Sequence, residues 1–181
     1  MGESYQISDQ SEAYYMTFQV MGWADVFTRK DYRDIILQSF IHCRKEKGML
    51  LRAYVIMSNH VHVIMQSSQG DLSGLVRDFK KYTSKQILKA ISKNKYKSRR
   101  QWLEIIFKYH TKLYERAREV QFWTYENHAV EMNTTDKMQS RLNYIHLNPV
   151  RYGLVDKEAE YLYSSARNYY GIKGLIEKDL I

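Results

Sequence analysis

The stretch Leu50–Gln66, LLRAYVIMSNHVHVIMQ, contains two apolar runs, Leu50 to Met57 and His60 to Gln66, around Ser58-Asn59. Runs of this length and composition read as neighbouring strands, and the short polar break as a tight hairpin turn. Side chains alternate along a strand, so His60 and His62 share one face while Val61 and Val63 point the other way. Two imidazoles at i and i+2 can converge on one metal ion, although ordinary sheets carry His-x-His as well.

Upstream, Tyr14 to Val20 (YYMTFQV) is aromatic and β-branched and reads as a strand. Thr28-Arg29-Lys30-Asp31 has the form of a capping box. The residues after it put Tyr32, Ile35, Ile36, Phe40 and Cys43 on one face of a helix that ends near Gly48. Downstream, Asp71 caps a helix to about Ser92, with Leu72, Leu75, Val76, Phe79 and Ile87 inward. Asn94 to Arg100 is a basic loop. Gln101 to about Glu119 is a further helix, with Trp102, Ile105, Tyr109 and Leu113 on its inner face. A strand is expected at His128 to Met132. A last helix starts at Asn133 or Thr134 and ends near Pro149, because the residue before proline avoids helical torsions. Without the extra helix the order is β-α-β-β-α-β, an α+β, ferredoxin-like core with an antiparallel sheet. A single domain spanning residues 1–181 is expected, with a core at about 14–150 and a C-terminal extension at 151–181.

The 181 residues carry a net charge of +8. The placement of this charge is informative. Between Arg77 and Arg118, 14 cations face Asp78, Glu104 and Glu115, an excess of 11 that leaves the rest of the chain at −3. Within this block Arg77, Lys81, Lys85, Lys89 and Lys93 recur every four residues. Four residues turn ~400°, so the stripe drifts only ~40° per step and forms a continuous basic track. A polyanion suits such a block. Tyr82, Tyr96, Trp102 and Tyr109 interleave with it, although helical spacing favours core positions for Trp102 and Tyr109. No apolar run approaches the ~20 residues of a membrane span. The polar, acidic segment Met1 to Tyr15 does not read as a signal peptide, and Cys43 is the single cysteine. A cytoplasmic location is expected.

The second informative segment is Arg141 to Val150, RLNYIHLNPV. On a helix Met138, Leu142 and Ile145 form the inward stripe, and Lys137, Arg141, Tyr144 and Asn148 lie along its flank. Tyr144 and Asn148 are thus neighbours at the edge of the core. The triple-histidine nucleotide hydrolases would require a third histidine where Ile64 stands, which argues against them.

Taken together, VIMSNHVH (55–62) followed by YIHLNPVR (144–151) resembles the single-tyrosine HUH transposases. Within them it is most similar to the REP-associated tyrosine transposases, relatives of the insertion sequence 200/605 type. The resemblance runs from about Tyr14 to Tyr170 and implies the ferredoxin-like fold. It implies Tyr144 as nucleophile and His60 and His62 as metal ligands, with Asn148 as the third where the insertion-sequence branch usually has glutamine. Trp123 matches a family tryptophan before the fourth strand, followed here by Thr124. The implied activity is a metal-dependent (Mg²⁺ or Mn²⁺) nickase and transposase that cleaves and rejoins single-stranded DNA beside a hairpin through a 5′-phosphotyrosine. The alternatives are a domesticated repeat-processing nuclease with the same chemistry and a catalytically silent hairpin-binding protein. The phosphates are expected on Arg77, Lys81, Lys85, Lys89, Lys93, Arg99, Arg100 and Arg141. Ordinary tyrosine ionises only near pH ~10, so the metal, or Lys137 and Arg141 on the same flank, would have to activate Tyr144. The homodimer seen among insertion-sequence relatives is possible. His42, His110 and His146 are expected to be structural, and His128 to lie within reach of the site.

Overall fold

A computed structural model describes residues 6–113, 120–177 and 179. Four strands form one antiparallel sheet: β1 (Tyr14–Gln19), β2 (Met49–Ile56), β3 (His60–Ser67) and the short β4 (Val130–Glu131), in the order β2-β3-β1-β4. This is the order of a ferredoxin-like sheet. The hairpin turns at Ser58-Asn59, where Met57 N donates to His60 O at 2.9 Å.

The two faces of the sheet bury different helices. Met16 and Phe18 of β1 point into the larger core beneath α1 (Lys30–Glu46) and α2 (Leu72–Ser92). There Phe79 of α2 stacks on Phe40 of α1 at 4.8 Å and meets Phe18 at 5.6 Å. Tyr15 and Ile64 point the other way. They form a second core with Ala53, Val55 and Met57, under Leu142 and Ile145 of α4 (Thr135–Arg151). The strand period of two thus assigns alternate residues of β1 and β3 to opposite layers.

The outer edge of β2 is covered by the C-terminal segment. Val55 bridges Ser164, and Ile56 N donates to Tyr163 O at 2.9 Å. The Tyr161 hydroxyl donates to Ile56 O, and the Tyr169 hydroxyl, from the short helix α5 (Ala166–Tyr169), donates to Arg52 O. Asp179 accepts from Leu51 N at 2.6 Å and pairs with Arg44 at 2.9 Å. Covering an edge strand removes its free ladder groups. Tyr161, Tyr163 and Tyr169 are therefore packing residues.

Both predicted caps appear: Asp71 accepts from Gly74 N at 2.9 Å, and Thr134 accepts from Lys137 N at 3.3 Å. The capping box at Thr28 does not form. Its hydroxyl donates to Asp25 O and closes a 3₁₀ turn at Val26–Thr28, so α1 starts at Lys30 after an uncapped Arg29. Local side-chain bonding has competed with the helix start. Nor does α4 stop at Pro149. The proline is buried inside the helix, which runs to Arg151 and ends at Gly153 with φ 67°. Packing overrides the pre-proline preference for the last turn.

The basic segment 94–100 is only partly a loop, because α3 (Lys97–Leu113) begins within it. The inward face expected for α3 is also corrected. Leu103 and Phe107 are buried, whereas Trp102, Ile105 and Tyr109 are 42%, 66% and 59% exposed. The helix carries two apolar stripes, and only tertiary contact selects one: Phe107 meets Phe122 at 5.5 Å, beneath the 3₁₀ turns that follow β1. Glu115, Arg116 and Arg118, with the expected end of this helix, lie outside the described residues. Among the described residues no helix is long and apolar enough to cross a membrane. We predict that Trp102→Ala changes unfolding free energy by less than about 0.5 kcal/mol, whereas Leu103→Ala costs about 2–5 kcal/mol. Denaturant titration of both variants checks this.

Candidate active site

The site lies on the sheet face beneath α4. His60 and His62 stand two residues apart on β3, opposite Gln19 and Thr17 of β1, with ring centroids 4.6 Å apart. Both are buried, and burial lowers their pKa values to about 4 and about 3, for His62 with help from His60 and Arg141. Both are therefore neutral at pH 7 with a lone pair to offer.

Neighbouring groups orient both rings through Nδ1. Asn59 Nδ2 donates to Trp23 O at 3.4 Å and Asp25 Oδ1 at 3.2 Å, which turns its Oδ1 toward His60 Nδ1 at 2.7 Å. An amide oxygen only accepts, so His60 Nδ1 carries the proton and Nε2 keeps its lone pair. His62 Nδ1 lies 2.9 Å from both the Tyr15 and Thr17 hydroxyls. In the tautomer whose Nδ1–H donates to those oxygens, His62 Nε2 keeps its lone pair. Partners on the far nitrogen are how proteins fix metal-binding imidazoles.

α4 presents Tyr144, Asn148 and Tyr152 one turn apart on one face. The Tyr144 ring meets His62 edge-on at 5.3 Å, and the Tyr152 ring lies 6.4 Å from His60. Asn148 sits between them, 2% exposed, and its Oδ1 is buried without a hydrogen-bond partner. A buried acceptor left unpaired is costly, so this oxygen is poised for a donor or a cation. The phenol from late in the chain and the imidazole pair of the hairpin therefore meet within one chain.

The two tyrosines at His62 differ in burial and in their hydrogen bonds. Tyr15 has its hydroxyl engaged by His62 and Thr17, and burial raises its pKa to about 12. It is a neutral hydrogen-bonding group. Tyr144 is only half-buried. Of the two cations expected on the helix flank, Arg141 stands near these rings and Lys137 is turned to another partner. Lys137 Nζ donates to Asn133 Oδ1 at 2.8 Å, and the Arg141 guanidinium lies over Tyr15 at 4.9 Å. Arg151 is the cation over the Tyr144 ring, at 5.3 Å. Tyr15, Thr17, Asn59, Arg151 and Tyr152 went unread in the sequence. Asn59, adjacent to His60, and Arg151, two helical turns after Tyr144, had a local clue. Tyr15 and Thr17 depend on strand register.

The remaining sequence candidates lie elsewhere. Arg77, Lys81, Lys85, Lys89 and Lys93 form an exposed stripe on the outer face of α2, across the sheet from the histidines. Arg99 Nη2 donates to Asp25 O at 2.6 Å, with its guanidinium over Trp102 at 4.6 Å. Arg100 pairs with Glu104 at 3.8 Å. His146 is buried, with Nε2 2.9 Å from Ser165 Oγ. Trp123 is buried, and its Nε1 donates to Thr83 Oγ1 at 3.0 Å. Lys80 is not on the stripe. Its ammonium donates to Thr124 O and Asn127 Oδ1, at 2.8 and 2.7 Å, and burial lowers its pKa from 10.5 to about 8.

The chain belongs to the IS200-like transposase family, whose model matches residues 13–111, from β1 through both histidines into α3. It is a DNA transposase by that membership. Transposases of this class generally use a divalent metal ion. Among solved structures, the chain is similar to a REP-associated tyrosine transposase bound to a REP hairpin, at 14% identity and a TM-score of 0.64, over 97% of this chain and 90% of that one. This likeness shows the fold. A structure from Deinococcus radiodurans r1, named as a transposase candidate, matches at 11% identity and a TM-score of 0.46 over 85% of this chain and 96% of that one. No curated protein matches.

The state of Lys80 yields a pH prediction. Between pH about 8 and 10.5 the unfolded chain keeps a proton that the folded chain has released, so raising pH favours folding. The stability of wild type relative to Lys80→Met should rise by about 2 kcal/mol from pH 8 to 10, read as denaturant unfolding free energies.

Proposed function

We propose that this chain nicks and rejoins single-stranded DNA beside a hairpin through a 5′-phosphotyrosine on Tyr144, with His60, His62 and Asn148 holding Mg²⁺ or Mn²⁺. One observation carries the reading: the Tyr144 ring lies against His62 while the buried Oδ1 of Asn148, on the same face of α4, has no partner.

The donor set fits the ion. Among the described residues no three of His, Cys, Asp and Glu converge, and on this reading the Asn148 amide oxygen is the third donor. Two neutral imidazoles and an amide oxygen form a mixed nitrogen–oxygen set suited to Mn²⁺ or Mg²⁺. Held by His60, His62 and Asn148, a divalent ion would supply charge neutralisation at a non-bridging oxygen and orientation of the scissile phosphate. The Tyr144 oxygen attacks phosphorus, and the P–O3′ bond breaks. The strand 5′ to the cut leaves as a free 3′-OH that takes up a proton, and the phosphate stays on Tyr144. The bond energy is conserved in the phosphotyrosine, so a second 3′-OH can reverse the step and join strands. Arg141 and Arg151 flank this point and suit the phosphates on either side. Histidines and tyrosine meet within one chain, so the chemistry needs no helix exchanged from a second copy.

The hairpin enters by extension from the solved relative, which is bound to a REP hairpin. The evenly spaced α2 stripe suits backbone phosphates of a duplex stem, remote from the cut. Lys81→Ala/Lys85→Ala/Lys89→Ala should flatten the salt dependence of hairpin binding by up to about 3 in log–log slope, read by fluorescence anisotropy. It should leave the adduct yield at saturating DNA unchanged.

The central test incubates the protein with end-labelled hairpin oligonucleotides and Mg²⁺ or Mn²⁺. A denaturation-resistant protein–DNA adduct should form, vanish in Tyr144→Phe and with EDTA, and fall at least about 100-fold in His60→Ala. Hairpin binding without adduct in any metal would replace this reading with the silent binding module. Asn59→Leu should weaken Mn²⁺ binding about 10- to 100-fold in an electron paramagnetic resonance titration, because His60 loses the partner that sets its tautomer.

A further inference from the structure

A pocket of about 330 Å³ opens beside the histidine pair, lined by Gln19, Trp23, Thr124, Tyr125, Glu126 and His128. Gln19 is the direct cross-strand partner of His60, so the two side chains share a face. The opposite wall is tied to the same histidine through Asn59, which donates to Trp23 O. The pocket therefore begins one strand away from the proposed cutting point.

We propose that this pocket receives an unpaired nucleobase of the strand being cut, next to the scissile phosphate. The proposal rests on the transposase reading above and extends it to the base that the protein reads. Three observations support it. First, Trp23 (φ 53°) and His128 (φ 45°) are the two non-glycine residues with positive φ among the described residues, and both line this pocket. Such backbone is strained for an L-residue and tends to gather at ligand sites. Gly22, before Trp23, is itself at φ 64°, where a Cβ would come within 2.6 Å of the His110 ring. The turn is thus built to present Trp23, which is 65% exposed. Secondly, Gln19 Nε2 is buried without a hydrogen-bond partner. It is a donor awaiting an acceptor, and every nucleobase carries one on its edge. Thirdly, Trp23 and Tyr125 line the pocket with aromatic rings, on which a base can stack, while the Glu126 carboxylate, 3.7 Å from His128 Nε2, repels a phosphate and can accept from a base N–H. A base fits this combination, and a backbone phosphate does not.

The test uses Tyr144→Phe protein, which binds without cutting, and hairpin oligonucleotides carrying 2-aminopurine at one flanking position at a time. One position should lose at least half its fluorescence on binding, and Trp23→Gly should restore it. Glycine suits a positive φ, so this variant should melt close to wild type, and a purely structural role would show as a lower melting temperature instead. At that position Tyr144→Phe protein should prefer one base by at least tenfold, and the near-isosteric Gln19→Leu should flatten the preference to within about threefold. Saturated complexes with no quenched position, or a preference untouched by both variants, would overturn the pocket. Adduct formation by wild type in that case leaves the transposase reading standing. A quenched, Trp23-dependent position with no adduct in wild type would sink the chemistry and keep the pocket. No hairpin binding at all would remove both.

Discussion

The register of β1 against β3 is the constraint on which the site depends. Pairing Thr17 with His62 and Gln19 with His60 places both imidazoles on the α4 face of the sheet. It also brings the Tyr15 and Thr17 hydroxyls to His62 Nδ1. A slip of one residue would exchange the faces, sending the histidines into the Phe18–Phe79 core and Val61 and Val63 to the site. The apolar residues on both faces hold the register, since each layer of the sheet has its own buried cluster. The site is thus fixed by hydrophobic burial before any charge or metal acts on it.

Burial also sets the chemical state of the donors. Both histidines lie beneath α4, stay uncharged, and have their outer nitrogens committed to Asn59 or to hydroxyls. The same burial strands the Asn148 oxygen. A helix that packed only through Leu142 and Ile145 would have no use for an unpaired amide on its inner flank. An amide placed there for a ligand carries the cost of being unpaired until that ligand arrives. The charge of the protein follows a different division. The long cationic stripe is on the other side of the sheet, and Arg141 and Arg151 stand over the Tyr15 and Tyr144 rings. On the proposed reading, grip on a polyanion and chemistry on one phosphate are separated by the thickness of the sheet.

Much of the fold was legible because its periodicities are strong. The hairpin around Ser58-Asn59, the Asp71 and Thr134 caps and the inward stripe of α2 all appear where local pattern puts them. The misreadings have two causes. On α3, Trp102, Ile105 and Tyr109 repeat as convincingly as Leu103 and Phe107, and only the position of Phe122 decides between them. Thr28 has the residue type of a cap, yet its nearest acceptor is a carbonyl three residues back. Pro149 should end a helix, but its burial carries the helix on to Arg151. In each case a contact from elsewhere in the chain, or a competing local bond, outweighed a weak preference.

From the sequence alone came the residues that could do the chemistry, His60, His62, Tyr144 and Asn148, and the α+β order that carries them. Alternation along a strand and the 3.6-residue turn of a helix are local rules, so they place two imidazoles on one face and a phenol beside an amide on another. Whether those two faces meet, and which groups surround them when they do, is set by strand register and by the seating of α4 on the sheet. Those depend on side chains more than a hundred residues apart burying one another, as Tyr15 and Tyr144 do at 6.2 Å. No local pattern encodes such a contact, and so Tyr15 and the pocket at Gln19 belong to the tertiary structure.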